Sequence, residues 1–591
     1  MSPVADFLPT TPGEMRQRGW DTLDVILVSG DAYIDSPFSG IALIGRALEA
    51  DGFRVGVIAQ PDTESLDDIR RLGAPRLFWG LSAGSVDSMV ANYTAGGKPR
   101  RQDDFTPGGV NNRRPDRACI AYANLVRRAF RPCAPLVLGG IEASLRRIAH
   151  YDFWSHRVRR SILLDAKADA LVYGMGERTV CALARHLRDH TPWQGLRGLC
   201  HAAAEPPADA VVLPDYAAVA DAATAGDDAP GLATRRAFLQ MSRDFLAHQE
   251  WRTARPLAQR HDNRWLIHNP PAEPLRPDEL DAVYRLPFQR DAHPRDAARG
   301  AITALDTIRF AITTHRGCYG ECNFCAIAAH QGREVQSRSV EAVLDEARGF
   351  ARHPRFRGVI SDVGGPTANM YGFSCPSMAA RGPCPDRHCL TPDCCPRLQP
   401  DHAPLTRLLE QLRRLPGIRH VFVGSGIRHD LVTADTRHGP AYIEALAAHH
   451  VSGQLKLAPE HSEPRVLALM GKPGTESLLA FKRQFESVTR RLGKEQYLTY
   501  YLIAAHPGCT DDDMHRLRDF ALRHLGVLPR QVQIFTPTPS TRSTAMYCTR
   551  LDPDTGQPLF VARGTRERES QKEILLPRES NGGRACRGPP P

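Results

Sequence analysis

Apolar and polar positions alternate along this chain in blocks, and the blocks fall into two series. In the first, short apolar runs are bounded by glycine or polar turns, the pattern of buried strands. Residues 24–30 (DVILVSG), 54–60 (RVGVIAQ), 77–83 (LFWGLSA), 136–140 (LVLGG) and 170–176 (ALVYGMG) read as strands. Helical patterns lie between them, beginning with residues 40–51 (GIALIGRALEAD). Strand and helix in alternation, with small residues at the strand ends, predict a doubly wound α/β domain over residues 1–200. The glycines at those ends suit tight turns as well as ligand contacts.

Residues 201–300 break the rhythm. The stretch 201–230 is rich in Ala, Asp and Pro, and Pro270-Pro271 and Pro294 interrupt the remainder, so a connector with peripheral helices is expected. No internal repeat or heptad is present. A second alternation then occupies residues 301–545. Its strands are 309–314 (RFAITT), 358–363 (GVISDV), 420–424 (HVFVG), 454–458 (QLKLA), 498–504 (LTYYLIA) and 531–535 (QVQIF). Helical segments at 339–353, 405–415, 439–448, 476–492 and 511–524 separate them. Six such strands predict a parallel sheet curled into a partial (β/α)6 barrel, a fold that carries its site at the C-terminal strand ends. Here those ends read HRGC, GGPT, GSGIRHD, APEH, AHPG and TPTP, all polar or turn-forming. Residues 546–591 form a C-terminal extension whose end, after Leu576, is expected to be disordered.

Composition narrows the class. No segment approaches ~18 uninterrupted apolar residues, which argues against a membrane span. The N-terminus lacks a basic patch followed by an apolar core, so it does not read as a secretory signal and the cytoplasm is the default location. A net charge of +10 raises the question of nucleic acid, but only seven of the 76 basic residues are lysine. The arginines are spread beside Asp and Glu, as on a solvated mixed surface, and form no single long run.

The fifteen cysteines change the picture more, because eight of them lie between 318 and 395. Reduced thiols clustered in this way point to metal or redox chemistry. Cys318, Cys322 and Cys325 are spaced C-x3-C-x2-C on one glycine-bearing loop, GCYGECNFC, directly after the first barrel strand. Three thiolates can ligate three irons of a cubane and leave the fourth iron open. S-adenosylmethionine can chelate that iron through its amino and carboxylate groups, and one electron then cleaves the sulfonium and releases a 5′-deoxyadenosyl radical. A zinc site built from these cysteines and a distant fourth ligand is the alternative, although zinc favours paired C-x2-C knuckles.

With an aromatic before its last cysteine, the triplet resembles the signature of the radical SAM superfamily. Longer strings resemble the YgiQ-type branch: THRGCYGECNFCAIAAHQGREVQSRS, SDVGGPTANMYG, LKLAPEH, AAHPG, GKEQY and the N-terminal DVILVSGDAYIDSP. The resemblance runs from about residue 20 to about residue 575. It implies a radical enzyme whose 4Fe–4S cluster sits on Cys318, Cys322 and Cys325, with S-adenosylmethionine as the exchangeable ligand. It further implies Phe324 near the adenine and Gly364-Gly365 at the cofactor's amino group. Ser425 and Arg428 suit ribose hydroxyls and the methionyl carboxylate, and Glu460 suits a ribose hydroxyl or the substrate. Arg428 and Glu460 equally suit a pair with each other or helix caps. A flavodoxin- or ferredoxin-like reductant is the expected partner.

The substrate stays open between a small molecule and a macromolecule; MGKPG and FTPTPSTRSTAMY are loosely similar to methylthiotransferase-like barrels, which act on RNA or protein side chains. Two other classes also remain: a non-catalytic Fe–S electron-transfer or scaffold protein, and a zinc-containing RNA-binding module. Cys375, Cys384, Cys389, Cys394 and Cys395, in a Pro-rich loop without strand pattern, suit a second cluster, a structural zinc, or free or redox-paired thiols. The N-terminal domain resembles cobalamin-binding folds. Its candidate region, residues 31–40 (DAYIDSPFSG), lacks the histidine of a D-x-H-x-x-G string, so cobalamin is not expected.

Overall fold

The computed structural model describes residues 6–384 and 388–577, so most of the tail expected to be disordered lies outside the described residues. The first series builds a nine-stranded sheet. Val25–Ser29 is flanked in parallel by Val55–Ala59 and Phe78–Ser82, with Val25 opposite both Val55 and Phe78. Leu136–Leu138 and Ala170–Val172 extend it, also in parallel. Burial on both faces explains why these runs are continuously apolar rather than alternating. Helices Gly40–Ala50 and Glu177–Arg188 share one face, burying Ile41, Leu43, Leu48, Val180 and Leu183. Helix Ala118–Ala129 covers the other face through Tyr122, Leu125 and Val126.

Residues 201–300 do more than connect. Leu199–Ala203 and the hairpin Leu257–His261/Arg264–His268 add antiparallel strands to the same sheet, and Val211–Val212 closes its edge. These strands went unread because LCHAA, LAQRH and RWLIH mix polar with apolar residues and lack the uninterrupted apolar run of the central strands.

All six barrel strands are present. Ala311–Thr313 pairs with Asp362–Gly364, Val359–Ile360 with His420–Val421, Gln454–Glu460 with Tyr497–Ala504, and the last with Gln533–Ile534, each in parallel. A single bridge, Ile427 to Leu457, joins the third strand to the fourth. Helices Val340–Phe350, Ala403–Arg413 and Glu476–Arg491 pack outside on Ile312, Val363, Val421 and Leu457. Their starts are locally encoded: Ser339 accepts from the Ala342 N–H, and Thr510 makes a capping box with Asp513 ahead of Asp511–Phe520. Among the described residues no helix is long and apolar enough to cross a membrane.

The C-terminal strand ends of the sheet face those of the barrel across a cavity of about 530 Å³. Gly80, Gly139 and Gly176 line it from the sheet, and Thr313, Gly364 and Ser425 from the barrel.

Candidate active site

The loop after strand Ala311–Thr313 is shaped by its glycines. Gly317 has φ +80°, and a Cβ there would lie 2.0 Å from the Glu334 carbonyl oxygen. Asn323 then pins the loop: its N–H donates to Met470 O at 2.8 Å, its amide to Leu469 O at 3.1 Å, and its carbonyl accepts from Ser543 N at 2.8 Å. The thiols of Cys318, Cys322 and Cys325 are thereby held on one side of the barrel mouth. Gly320 N–H points at Cys318 Sγ (3.4 Å), and Arg428 Nη1 at Cys322 Sγ (3.6 Å). Burial and the neighbouring Cys322 push the Cys325 thiol up to about 12, and burial raises Cys318 as well. Metal-free, these groups carry their protons, so metal binding would release them.

The three sulfurs do not all lie within 4.8 Å of one another. A single tetrahedral ion with ~2.3 Å bonds needs its sulfurs about 3.8 Å apart. As they stand, the three thiols do not form a closed single-ion site.

Around the thiols stand the other expected residues. Arg428 and Glu460 do not pair with each other. Arg428, 8% exposed, pairs with Asp430 (Nη2 to Oδ2, 2.6 Å), and Asn369 clamps its backbone, accepting from Arg428 N at 2.8 Å and donating to Arg428 O at 3.0 Å. Burial opposes charge on both members of the ion pair, yet their mutual attraction keeps Asp430 well below the usual carboxylate range and Arg428 charged. Glu460 is buried with φ +68°, and its carboxyl is pushed up by burial against the pull of Lys472 (3.9 Å) and Arg428. Ser425 Oγ donates to Asp362, whose other oxygen accepts from Gly424 N (2.8 Å) and Ser425 N (3.1 Å). Phe324 lies edge-on to His506, ring centres 6.4 Å apart.

The glycine pair is demanded by packing. A Cβ on Gly365 would sit 2.5 Å from His315 Nε2, and one on Gly364 2.9 Å from Ala368 Cα. His315 cannot step aside, being fully buried and bonded to Thr367 O and Thr314 Oγ1, both at 2.9 Å. Gly365→Ala is expected to destabilise the chain by about 1–3 kcal/mol through overpacking, read as a lower melting temperature with unchanged far-UV dichroism.

Sequence reasoning passed over Asp362, Asn369, Asp430 and Lys472. Asp362 and Asp430 were within sight, one just ahead of the glycine pair and the other two residues after Arg428. Asn369 and Lys472 carry no such local sign. Also unforeseen is the ion pair Arg316–Glu177 (2.7 Å), which links the barrel to the sheet at the cavity wall.

The chain has clear relatives among known proteins. A family model described as "Radical SAM N-terminal" matches residues 7–311, and one described as "Radical SAM superfamily" matches 312–521. A UPF0313 protein of Fusobacterium nucleatum is 49% identical over 97% of this chain and 99% of its own length. One of Thermotoga maritima is 48% identical over 96% of this chain and 98% of its own. Among solved structures, the radical S-adenosylmethionine methyltransferase TsrM of Kitasatospora setae, with cobalamin and a [4Fe-4S] cluster bound, is 16% identical (TM-score 0.48), covering 88% of this chain and 74% of that one. The cobalamin-dependent radical enzyme OxsB, with aqua-cobalamin and S-adenosylmethionine bound, is 13% identical (TM-score 0.49), covering 92% and 58%.

Both of these solved structures hold cobalamin, against the expectation that cobalamin is unlikely for this chain. That expectation rested on a missing histidine, which bears on one axial ligand and not on room for a ring. The region in question borders the cavity through Pro37, Phe38 and Gly40, while Asp31 and Asp35 are taken up by buried ion pairs with Arg114 and Arg46. The cavity is lined mainly by apolar residues, and residues 31–40 contain no histidine.

Proposed function

This chain belongs to the UPF0313 family within the radical SAM superfamily, and from that premise we propose that it cleaves S-adenosylmethionine reductively at a 4Fe–4S cluster on Cys318, Cys322 and Cys325. The observation that carries the reading is the meeting of three half-buried thiols on one loop with a buried, charged Arg428, whose Nη1 lies 3.6 Å from Cys322 Sγ. Bound there, the cluster supplies the electron that breaks the sulfonium bond.

The chain's own residues bind and orient. Arg428, fixed by Asp430 and Asn369, offers Nη1 to the cluster edge and to the methionyl carboxylate. The Gly365 carbonyl, which no described donor occupies, receives the amino group. Ser425 and Asp362 hold ribose hydroxyls, Phe324 packs beside the adenine, and Glu460 stands near Cys325 as a ribose or substrate contact. The mainly apolar cavity excludes water from the reacting centre and admits a small molecule or one residue of a macromolecule. A flavodoxin- or ferredoxin-like protein in the cytoplasm is the proposed reductant.

Anaerobic reconstitution followed by dithionite and S-adenosylmethionine tests the reading. 5′-Deoxyadenosine, detected by chromatography, is the expected product. A brown, iron-loaded protein that never yields it would favour an electron-transfer or scaffold role, and zinc without iron would favour the RNA-binding module.

A further inference from the structure

Of the eight cysteines between 318 and 395, five remain once the loop at 318–325 has its role, and they are not scattered. Cys375, Cys389 and Cys395 are buried at 7–9% exposure in an apolar cluster of their own, with Tyr319, Phe373, Met378 and Leu390. Cys394 packs against that cluster, and so does Cys318. The segment has scant regular structure: one six-residue helix, Pro376–Arg381, with Cys375 as its N-cap. Cys395 N–H donates to Cys389 O at 2.8 Å, which folds the chain so that these two residues stand side by side. All five thiols are free.

As a core this arrangement is poor. Apart from a long contact of Cys394 Sγ with the Cys395 carbonyl (4.0 Å), none of the five thiols makes a hydrogen bond among the described residues. Valine or leucine would bury more apolar area at each position. Sulfur at several converging buried positions instead supplies soft ligands, and a metal would close a loop that little else holds. The segment also leans on the first loop. Tyr319, next to Cys318, donates to Phe373 O at 3.4 Å, and His388 Nδ1 meets Glu321 Oε2 at 3.3 Å.

We propose that Cys375, Cys389, Cys394 and Cys395 hold a second iron–sulfur cluster, fully ligated by thiolates and lying behind Tyr319 beside the first. Four protein ligands leave no open iron, so this cluster binds no S-adenosylmethionine. The site stands or falls separately from the role given to Cys318, Cys322 and Cys325.

The test uses the full chain, reconstituted anaerobically with iron and sulfide. Wild type is expected to hold about eight irons, twice a single cubane. Cys318→Ala/Cys322→Ala/Cys325→Ala is expected to keep about half, with a dithionite-reduced EPR signal that S-adenosylmethionine does not alter. Cys375→Ala/Cys389→Ala is expected to lose the other half. Loss of all iron from a folded triple variant, zinc in its place, or a disulfide among the five thiols would overturn the proposal. Should the triple variant not fold, Mössbauer spectra of wild type decide: one cubane per chain overturns it, and two, only one perturbed by S-adenosylmethionine, support it.

Discussion

Cys322→Ala is expected to abolish 5′-deoxyadenosine formation to the assay background while leaving the barrel folded. Cys322 is the middle ligand of the proposed triplet and the sulfur that Arg428 Nη1 approaches, so its loss removes a ligand and that contact together. Structure should survive, because the loop is anchored by Asn323 and Gly317 and not by the thiols. Arg428→Lys is the graded companion. Lysine keeps the charge but cannot pair with Asp430 through two nitrogens and still reach Cys322. Losing one hydrogen bond to a charged group costs about 1.5–3 kcal/mol, which is about a 10–100-fold slower cleavage at unchanged iron content. Iron assay and product chromatography on the same preparations separate the two: Cys322→Ala loses the product and the iron of the first cluster, about half of the total, whereas Arg428→Lys loses only product. Full turnover in either variant would remove these residues from the proposed site.

The central strands of the N-terminal sheet were legible because they are buried on both faces and so keep an uninterrupted apolar run, as in VILVS at Val25–Ser29. The cluster loop was legible because its chemistry needs specific residue types at fixed spacing. What could not be read arises between elements. Asp362 belongs to the second barrel strand, yet its carboxylate serves the end of the third, a contact that exists only once the strands pair. The cavity lies where two sheets bring their C-terminal edges together, and no local pattern in either series marks it. Gly364-Gly365 was visible as a pair, but what bars side chains there, the nearness of His315 and Ala368, arises only in the folded chain.

Glu177→Leu is expected to destabilise the protein by about 3–5 kcal/mol, a drop of several degrees in its melting temperature. Arg316 is 2% exposed, and its charge is met by Glu177 at 2.7 Å and by the Tyr284 hydroxyl at 3.2 Å. Burial works against the guanidinium charge, and Glu177 is the first of the groups that hold it. Removing the carboxylate strands a cation in a low-dielectric wall, where a hydroxyl cannot replace it. The double variant Glu177→Leu/Arg316→Leu should recover most of the loss, since replacing both members of a buried pair is often near neutral. Position gives the pair a second consequence. Glu177 opens helix Glu177–Arg188 of the sheet domain, and Arg316 sits two residues before Cys318, so the pair fixes the cluster loop relative to the opposite cavity wall. The double variant should therefore regain its melting temperature while S-adenosylmethionine cleavage stays below wild type. Equal stability of the single and double variants would show that the pair is not the strut between the two halves.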